Sequence, residues 1–259
     1  MKYVLIDPIA FSFGSFDVHW YGIMYLIGFL CAWILGRYRA KKSYSILTTN
    51  DVGDLLTWGM IGVIVGGRFG YILFYDFNIL YTDPLEVFKI WNGGMSFHGG
   101  FLGATVAACI WGYKRQLHCL AVLDFLSPLI SPGLFFGRIG NFINGELWGA
   151  ITDKSWGIVF PSGGPYPRHP SQLYEAFFEG IILFIIMWSY TSKSRPEGNP
   201  SGLFMLCYGL FRFGIEFIRQ PDAHIGYLAF GWLTMGQLLC VPLIIIGFWL
   251  ITRHRQTHT

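Results

Sequence analysis

The stretch LAVLDFLSPLISPGLFFGRIGNFINGELWG, Leu120 to Gly149, decides what kind of fold this chain can have. Its first half is mostly apolar and nearly long enough for a helix to cross a bilayer, which takes about 20 residues. Its last thirteen residues hold an arginine, two asparagines, a glutamate and four glycines. A membrane-like run therefore delivers a polar, glycine-rich segment to one face. Pro128 and Pro132 predict a kink within the run.

The rest of the chain supports a membrane setting. Of 259 residues, 53% are hydrophobic and 13% charged, against about 25% charged in a soluble domain. That leaves too few charges to cover a surface facing water. A net charge of +3 is too small to point to nucleic acid. Five cysteines lie in or beside apolar stretches with no CxxC spacing, so they read as small hydrophobes rather than disulfides or metal ligands. The N-terminus lacks the pattern of a cleaved signal peptide.

Seven segments have the length and polarity of spans: roughly 17–36, 52–75, 94–113, 119–137, 171–191, 201–218 and 230–252. The fold class is an all-α polytopic membrane protein of about seven transmembrane helices, forming one integral membrane domain over 1–259. Ten basic residues (Arg37, Arg39, Lys41, Lys42, Lys114, Arg115, Lys193, Arg195, Arg253 and Arg255) fall in alternate links and the tail. The other side carries Lys2, Lys89, Lys154 and Arg168. The positive-inside rule then puts the N-terminus outside and the C-terminus in the cytoplasm. The link over about 142–170 is rich in Gly, Pro and Trp and reads as a small folded head on the outer side. Glycines at four-residue spacing (Gly62, Gly66, Gly70; Gly99, Gly103; Gly133, Gly137) are expected to let helices approach closely.

Four arginines remain. Arg68, Arg138, Arg212 and Arg219 lie within spans or at their outer ends, where an unpaired charge is costly. Arg68 is open to either a structural or a binding role. Tyr208, Arg212, Glu216 and Arg219 recur at helical spacing and make one polar stripe. Two arginines against one glutamate leave a positive surplus, and Arg138 adds to it. Guanidinium forks gathered at one leaflet suit a phosphate, and the abundant phosphate there is a phospholipid headgroup. Asn141, Asn144, Glu146 and the glycine-rich backbone are placed to hold hydroxyls and amides around it. His98, between two glycine pairs in an expected break of regular helix, is a candidate proton acceptor, with a structural role as the alternative. His169 stands before Glu175 and Glu179; Glu179, a turn deeper, is expected to pair within the bundle. Tyr21 points a hydroxyl into the bundle or toward lipid. No nucleophile elbow, HExxH, P-loop or metal spacing occurs, so a nucleophile would have to arrive with a second substrate.

With these residues in view, the chain resembles the prolipoprotein diacylglyceryl transferases. GRIGNFINGELWG fits that family's signature throughout, and HWYG, GGRFGYILFY, GGMSFHGG, RHPSQLYEA and YGLFRFGIEFIRQPD follow in the family's order. The resemblance implies a seven-helix protein of the bacterial inner membrane with a small periplasmic head. It implies transfer of the diacylglyceryl group of phosphatidylglycerol to the lipobox cysteine of a prolipoprotein signal peptide, with no metal or cofactor. It marks Arg138 and Arg212 as essential lipid contacts and ties Tyr21, His98, Asn141 and Gly149 to activity. Glu146, Glu175, Tyr208 and Glu216 match its polar network. A small-anion transporter and a non-catalytic phospholipid-binding protein are the alternatives. A transporter would carry polar residues to both faces, whereas here they gather toward the outer half.

Overall fold

The structure is a computed structural model, and it describes residues 6–14, 16–90, 93–221 and 226–253. Lys2, Arg255, Asp222 and the Trp91–Asn92 pair before GGMSFHGG lie outside the described residues. Two compact units are present: residues 1–35 with 126–259, and residues 36–125.

The chain is mostly helical. It opens with a short antiparallel hairpin, β1 (Ile9–Phe13) and β2 (Phe16–His19), that the all-α expectation lacked. Long helices then form at all seven expected segments. They are α1 (Trp20–Ala40), α2 (Thr49–Phe74), α4 (Phe97–Lys114), α5 (Cys119–Ile143), the rod from α6 (Ser171–Glu175) to α7 (Leu183–Tyr190), α8 (Asn199–Ile215) and α9 (Met235–Thr252). Short α3 (Ile79–Thr82) and a 3-10 turn (Pro84–Phe88) follow α2. Five of these helices, α1, α2, α5, the α6–α7 rod and α9, are long and apolar enough to cross a membrane. α4 and α8 have 18 and 17 residues.

In the unit over 36–125, α2 starts at a capping box. Thr48 accepts from the Asp51 amide and the Asp51 carboxylate accepts from the Thr48 amide at 2.9 Å, so two otherwise orphaned donors are satisfied. α2 packs on α4 through the expected glycines. A Cβ on Gly66 would strike Gly99 O, and one on Gly103 would strike Gly62 O. The backbones touch because no side chains stand between them. The same expectation fails at Gly137, where a Cβ would meet nothing within 4 Å. The cysteine reading also needs correction. Cys109 of α4 and Cys119 at the start of α5 are joined as a disulfide, because the short α4–α5 turn brings their Cα atoms to 4.7 Å.

In the other unit, α5 runs unbroken through Pro128 and Pro132 to Ile143, past the expected end at about residue 137. Arg138 and Asn141 therefore both lie within the helix, in its last turns. The α6–α7 rod holds a π-helical segment, Ala176–Ile182, a feature often found at functional sites. α8 stops at Ile215, with Glu216 as its C-cap. α9 starts at a second capping box, made by Thr234 and Gln237.

Candidate active site

Three elements bring charge to one place in the unit that holds α5, α6 and α8. Arg138, in the last turns of α5, points its Nε at Glu175 Oε2 (2.7 Å), and its Nη2 donates to Glu179 Oε2 at 3.4 Å. Arg212 of α8 donates from Nη1 to Glu175 Oε1 at 2.7 Å and lies 3.9 Å from Glu179 Oε1. Its Nη2 meets Glu216 Oε2 at 3.0 Å, and Arg219 approaches the same oxygen at 3.8 Å. Glu216 Oε1 accepts from the Thr234 hydroxyl at 3.0 Å. Glu175 and Glu179 are buried, whereas the Arg138 side chain keeps 16% of its surface exposed. Such a cluster is stable only because each charge has an opposite one in contact.

Arg138 and Arg212 thus converge, as the phosphate reading requires. The expected surplus of positive charge is absent, however. Three guanidiniums face three carboxylates, because Glu175 and Glu179 enter from the α6–α7 rod. Tyr208, one turn before Arg212, is partly buried against Leu183, Met187 and Phe204 and lies within electrostatic reach of the cluster.

The segment after Arg138 folds into a loop fastened on several sides. Asn141 Nδ2 and Asn144 Nδ2 both donate to Glu146 Oε1, at 2.9 and 3.3 Å. Gln172 at the head of α6 donates to Glu146 O at 2.5 Å, and Ser171 Oγ donates to Leu147 O at 2.9 Å. The Gly149 amide donates to His169 O and the Ala150 amide to Ile218 O, stitching the loop to the end of α8. A Cβ on Gly149 would lie 2.6 Å from Ile218 O and 2.8 Å from His169 O, so only glycine fits. The Tyr21 ring packs where a Cβ on Gly140 would sit, and its hydroxyl lies 3.2 Å from that of Tyr25.

His169 Nδ1 lies 3.2 Å from the Tyr174 hydroxyl, whose oxygen accepts from Trp156 Nε1 at 2.8 Å. Partial burial, and then the nearby Lys154 charge, hold the His169 imidazole below its ordinary pKa. It is therefore neutral at neutral pH.

Two predicted residues belong to the other unit. Arg68 is buried and spends its guanidinium on backbone carbonyls. Nε donates to Val87 O at 3.1 Å, Nη1 to Gly93 O and Gly94 O at 2.6 and 3.2 Å, and Nη2 to Glu86 O at 2.5 Å. His98 is exposed in the first turn of α4, just after Ser96, whose hydroxyl caps the helix at the Gly99 amide. The irregular backbone precedes His98 at Gly93–Ser96; the histidine itself is helical.

The model of the family described as prolipoprotein diacylglyceryl transferase matches residues 8–253. The chain belongs to this family. The phosphatidylglycerol–prolipoprotein diacylglyceryl transferase of Nitratidesulfovibrio vulgaris strain DP4 is 58% identical over 246 residues, 95% of this chain and 94% of its own length. That of Coxiella burnetii strain RSA 331 is 53% identical over 259 residues, 99% of both chains. The enzyme of Solidesulfovibrio magneticus is 56% identical over 249 residues, 95% of this chain and 94% of its own.

Within this diacylglyceryl transferase family member, Glu179 pairs within the bundle as expected, and its partner is Arg138. The signal was present in EAFFEG, where two glutamates four residues apart share a helix face. Arg168 was read only as an orienting charge. It lies over the Trp148 ring at 3.9 Å and donates to Gly163 O at 2.7 Å, holding the loop together.

Proposed function

We propose that this protein is a transferase that moves the diacylglyceryl group of phosphatidylglycerol to the thiol of a prolipoprotein lipobox cysteine. The product is a thioether, and glycerol phosphate is released. The observation that carries this reading is the convergence of Arg138 and Arg212, from two helices, on the one carboxylate of Glu175 at 2.7 Å each. Two guanidinium forks at that spacing match the oxygens of one phosphate.

The thiol loses its proton, and the thiolate attacks the lipid carbon next to the phosphate. The S–C bond forms as the C–O bond breaks, and negative charge gathers on the departing phosphate oxygens. Arginines fixed there stabilise that charge more in the transition state than before it. Holding lipid and thiol together removes much of the entropic barrier. Asn141, Asn144 and Glu146 bind the glycerol hydroxyls, with Tyr21, Tyr208, Glu216 and His169 completing the lipid and peptide contacts. His98 takes the thiol proton; a free thiol has a pKa of about 8.5. Arg68 orders the segment before His98 through its hydrogen bonds to the Val87, Gly93 and Gly94 carbonyls.

In this reading the protein is one integral domain of seven spans in the bacterial inner membrane. Its N-terminus lies outside, its C-terminus in the cytoplasm, and residues 142–170 form the periplasmic head. The basic residues of the alternate links support that orientation. The polar cluster then faces the outer leaflet, where lipid and signal peptide meet.

The test combines purified protein, phosphatidylglycerol and a lipobox peptide. Mass spectrometry is expected to find the peptide heavier by one diacylglyceryl unit, with glycerol phosphate released. A Cys→Ser peptide stays unmodified and a chelator leaves the rate unchanged. A peptide of unaltered mass after prolonged incubation overturns the reading.

A further inference from the structure

The buried charges of the Arg138–Arg212 cluster already cancel. Arg138, Arg212 and Arg219 stand against Glu175, Glu179 and Glu216. A phosphodiester brings one more negative charge. If all three carboxylates stayed ionised, the occupied site would hold a net negative charge away from water, which is costly. The lipid must therefore bring a cation or the site must gain a proton. Arginine is already protonated and cannot take another, and a phosphodiester does not protonate near neutral pH. A proton gained by the site therefore goes to a carboxylate.

The three carboxylates are not equally held. Glu175 meets a guanidinium at 2.7 Å on each oxygen. Glu216 meets Arg212 at 3.0 Å and the Thr234 hydroxyl at 3.0 Å. Glu179 is the most deeply buried, 0% exposed, and the most loosely paired, at 3.4 and 3.9 Å. Its Oε1 is buried with no hydrogen-bond partner, as are Glu175 Oε2 and Glu216 Oε2, but those two lie 2.7 and 3.0 Å from a guanidinium nitrogen and Glu179 Oε1 only 3.9 Å. The groups facing it are Arg138 from α5, Glu175 on its own rod, Tyr208 and Arg212 from α8, and the Cys240 thiol from α9. Glu216 and Arg219 lie beyond the end of α8 and reach it through Arg212.

We propose that Glu179 is a substrate-binding residue that takes up one proton from solvent when the lipid phosphate settles between Arg138 and Arg212. The neutral carboxyl then donates a hydrogen bond from Oε1 to a phosphate oxygen. The carboxylate acts as a resident anion that yields its arginine contacts to the incoming one. The π-helical segment that carries Glu179 sets it four residues from Glu175 on the same face, so one guanidinium pair serves both. This inference rests on the lipid-transfer reading above.

Titration calorimetry of phosphatidylglycerol into the purified protein, in buffers of different ionisation enthalpy and without peptide, counts the protons exchanged. Uptake approaching one proton per lipid is expected. The lipid Kd should accordingly rise by up to about tenfold per pH unit across the window where uptake occurs. Glu179→Gln, which mimics the protonated carboxyl, should abolish the uptake and flatten the pH dependence. Wild-type protein that binds lipid with no proton uptake overturns the role of Glu179 alone and leaves the transfer reading standing. So does a Glu179→Gln protein that still takes up a proton. Wild-type protein that fails to bind the lipid overturns both. If Glu179→Gln does not fold, the wild-type proton count decides by itself.

Discussion

Glu175 stands between Arg138 and Arg212 and gives one carboxylate oxygen to each at 2.7 Å. The two arginines belong to different helices and are 74 residues apart in the chain, so no local rule holds them together. Glu175 is the link. Removing its charge leaves the buried Arg212 and the partly buried Arg138 with one good partner fewer, and breaking a buried pair costs about 3–5 kcal/mol. Glu175→Gln is expected to lower stability by that order in detergent-solubilised protein. Thermal unfolding followed by intrinsic fluorescence measures it. An unfolding midpoint equal to wild type would show that the pair is not held by Glu175.

Arg212 reaches Glu175 with one terminal nitrogen and Glu216 with the other. A lysine keeps the charge but offers a single point of contact. Arg212→Lys is therefore expected to lower kcat by roughly 10²–10³, the loss typical of a misplaced transition-state donor. Transfer of radiolabelled diacylglyceryl to a lipobox peptide measures it. A variant within a few-fold of wild type would show that charge alone suffices there.

Arg68 makes a different prediction, because its guanidinium is committed to Glu86, Val87, Gly93 and Gly94 carbonyls. Arg68→Met leaves partly buried carbonyls without donors, at about 1–3 kcal/mol for each that water cannot reach. The expected result is a lower unfolding midpoint and faster hydrogen exchange across residues 84–99. A binding role instead of a structural one would appear as a raised lipid KM with stability intact.

The seven helices could be read from hydrophobic runs, since each run must bury or face lipid along its length. Their ends could not. α5 continues to Ile143 and α8 stops at Ile215, ends that the hydrophobic runs do not mark. The meeting of Arg138 with Arg212 was foreseeable as two charges needing one anion. That the anion at rest is Glu175 with Glu179 depends on the α6–α7 rod lying against both, which helical spacing within any single segment does not reveal. The α2–α4 glycines were readable because close packing needs small residues at a fixed repeat. Gly137 shares that repeat but faces open space. The Cys109–Cys119 pairing was missed because an apolar setting says nothing about which sulfurs a turn brings together.

Gly149 sits between the ends of two elements, with its amide on His169 O and its neighbour's amide on Ile218 O. Gly149→Ala drives a methyl into both carbonyls, at 2.6 and 2.8 Å. Either the loop lifts from the segment after α8 or the backbone at His169 moves. Both displace the Asn141–Glu146 bond that shapes the loop. Near-complete loss of transfer is expected, with protease cleavage newly appearing within residues 142–170. A fully active, protease-resistant alanine variant would mean that the loop is not held as described.

His169 supplies the pH prediction. Its pKa is depressed, by partial burial first and by the Lys154 charge second. The unfolded chain therefore binds this proton at a higher pH than the folded one does. Above the ordinary histidine value of about 6.5 both states are neutral and stability does not change with pH through this group. As pH falls below that value, the unfolded state gains the proton first and stability declines, until pH passes the folded value. Replacing Lys154 removes one of the two causes. Lys154→Met is expected to move the His169 titration up toward the ordinary value without restoring it fully, since burial persists. Imidazole proton shifts recorded by NMR on protein labelled at histidine resolve the two titrations. A His169 curve that does not move in Lys154→Met protein would leave burial as the sole cause.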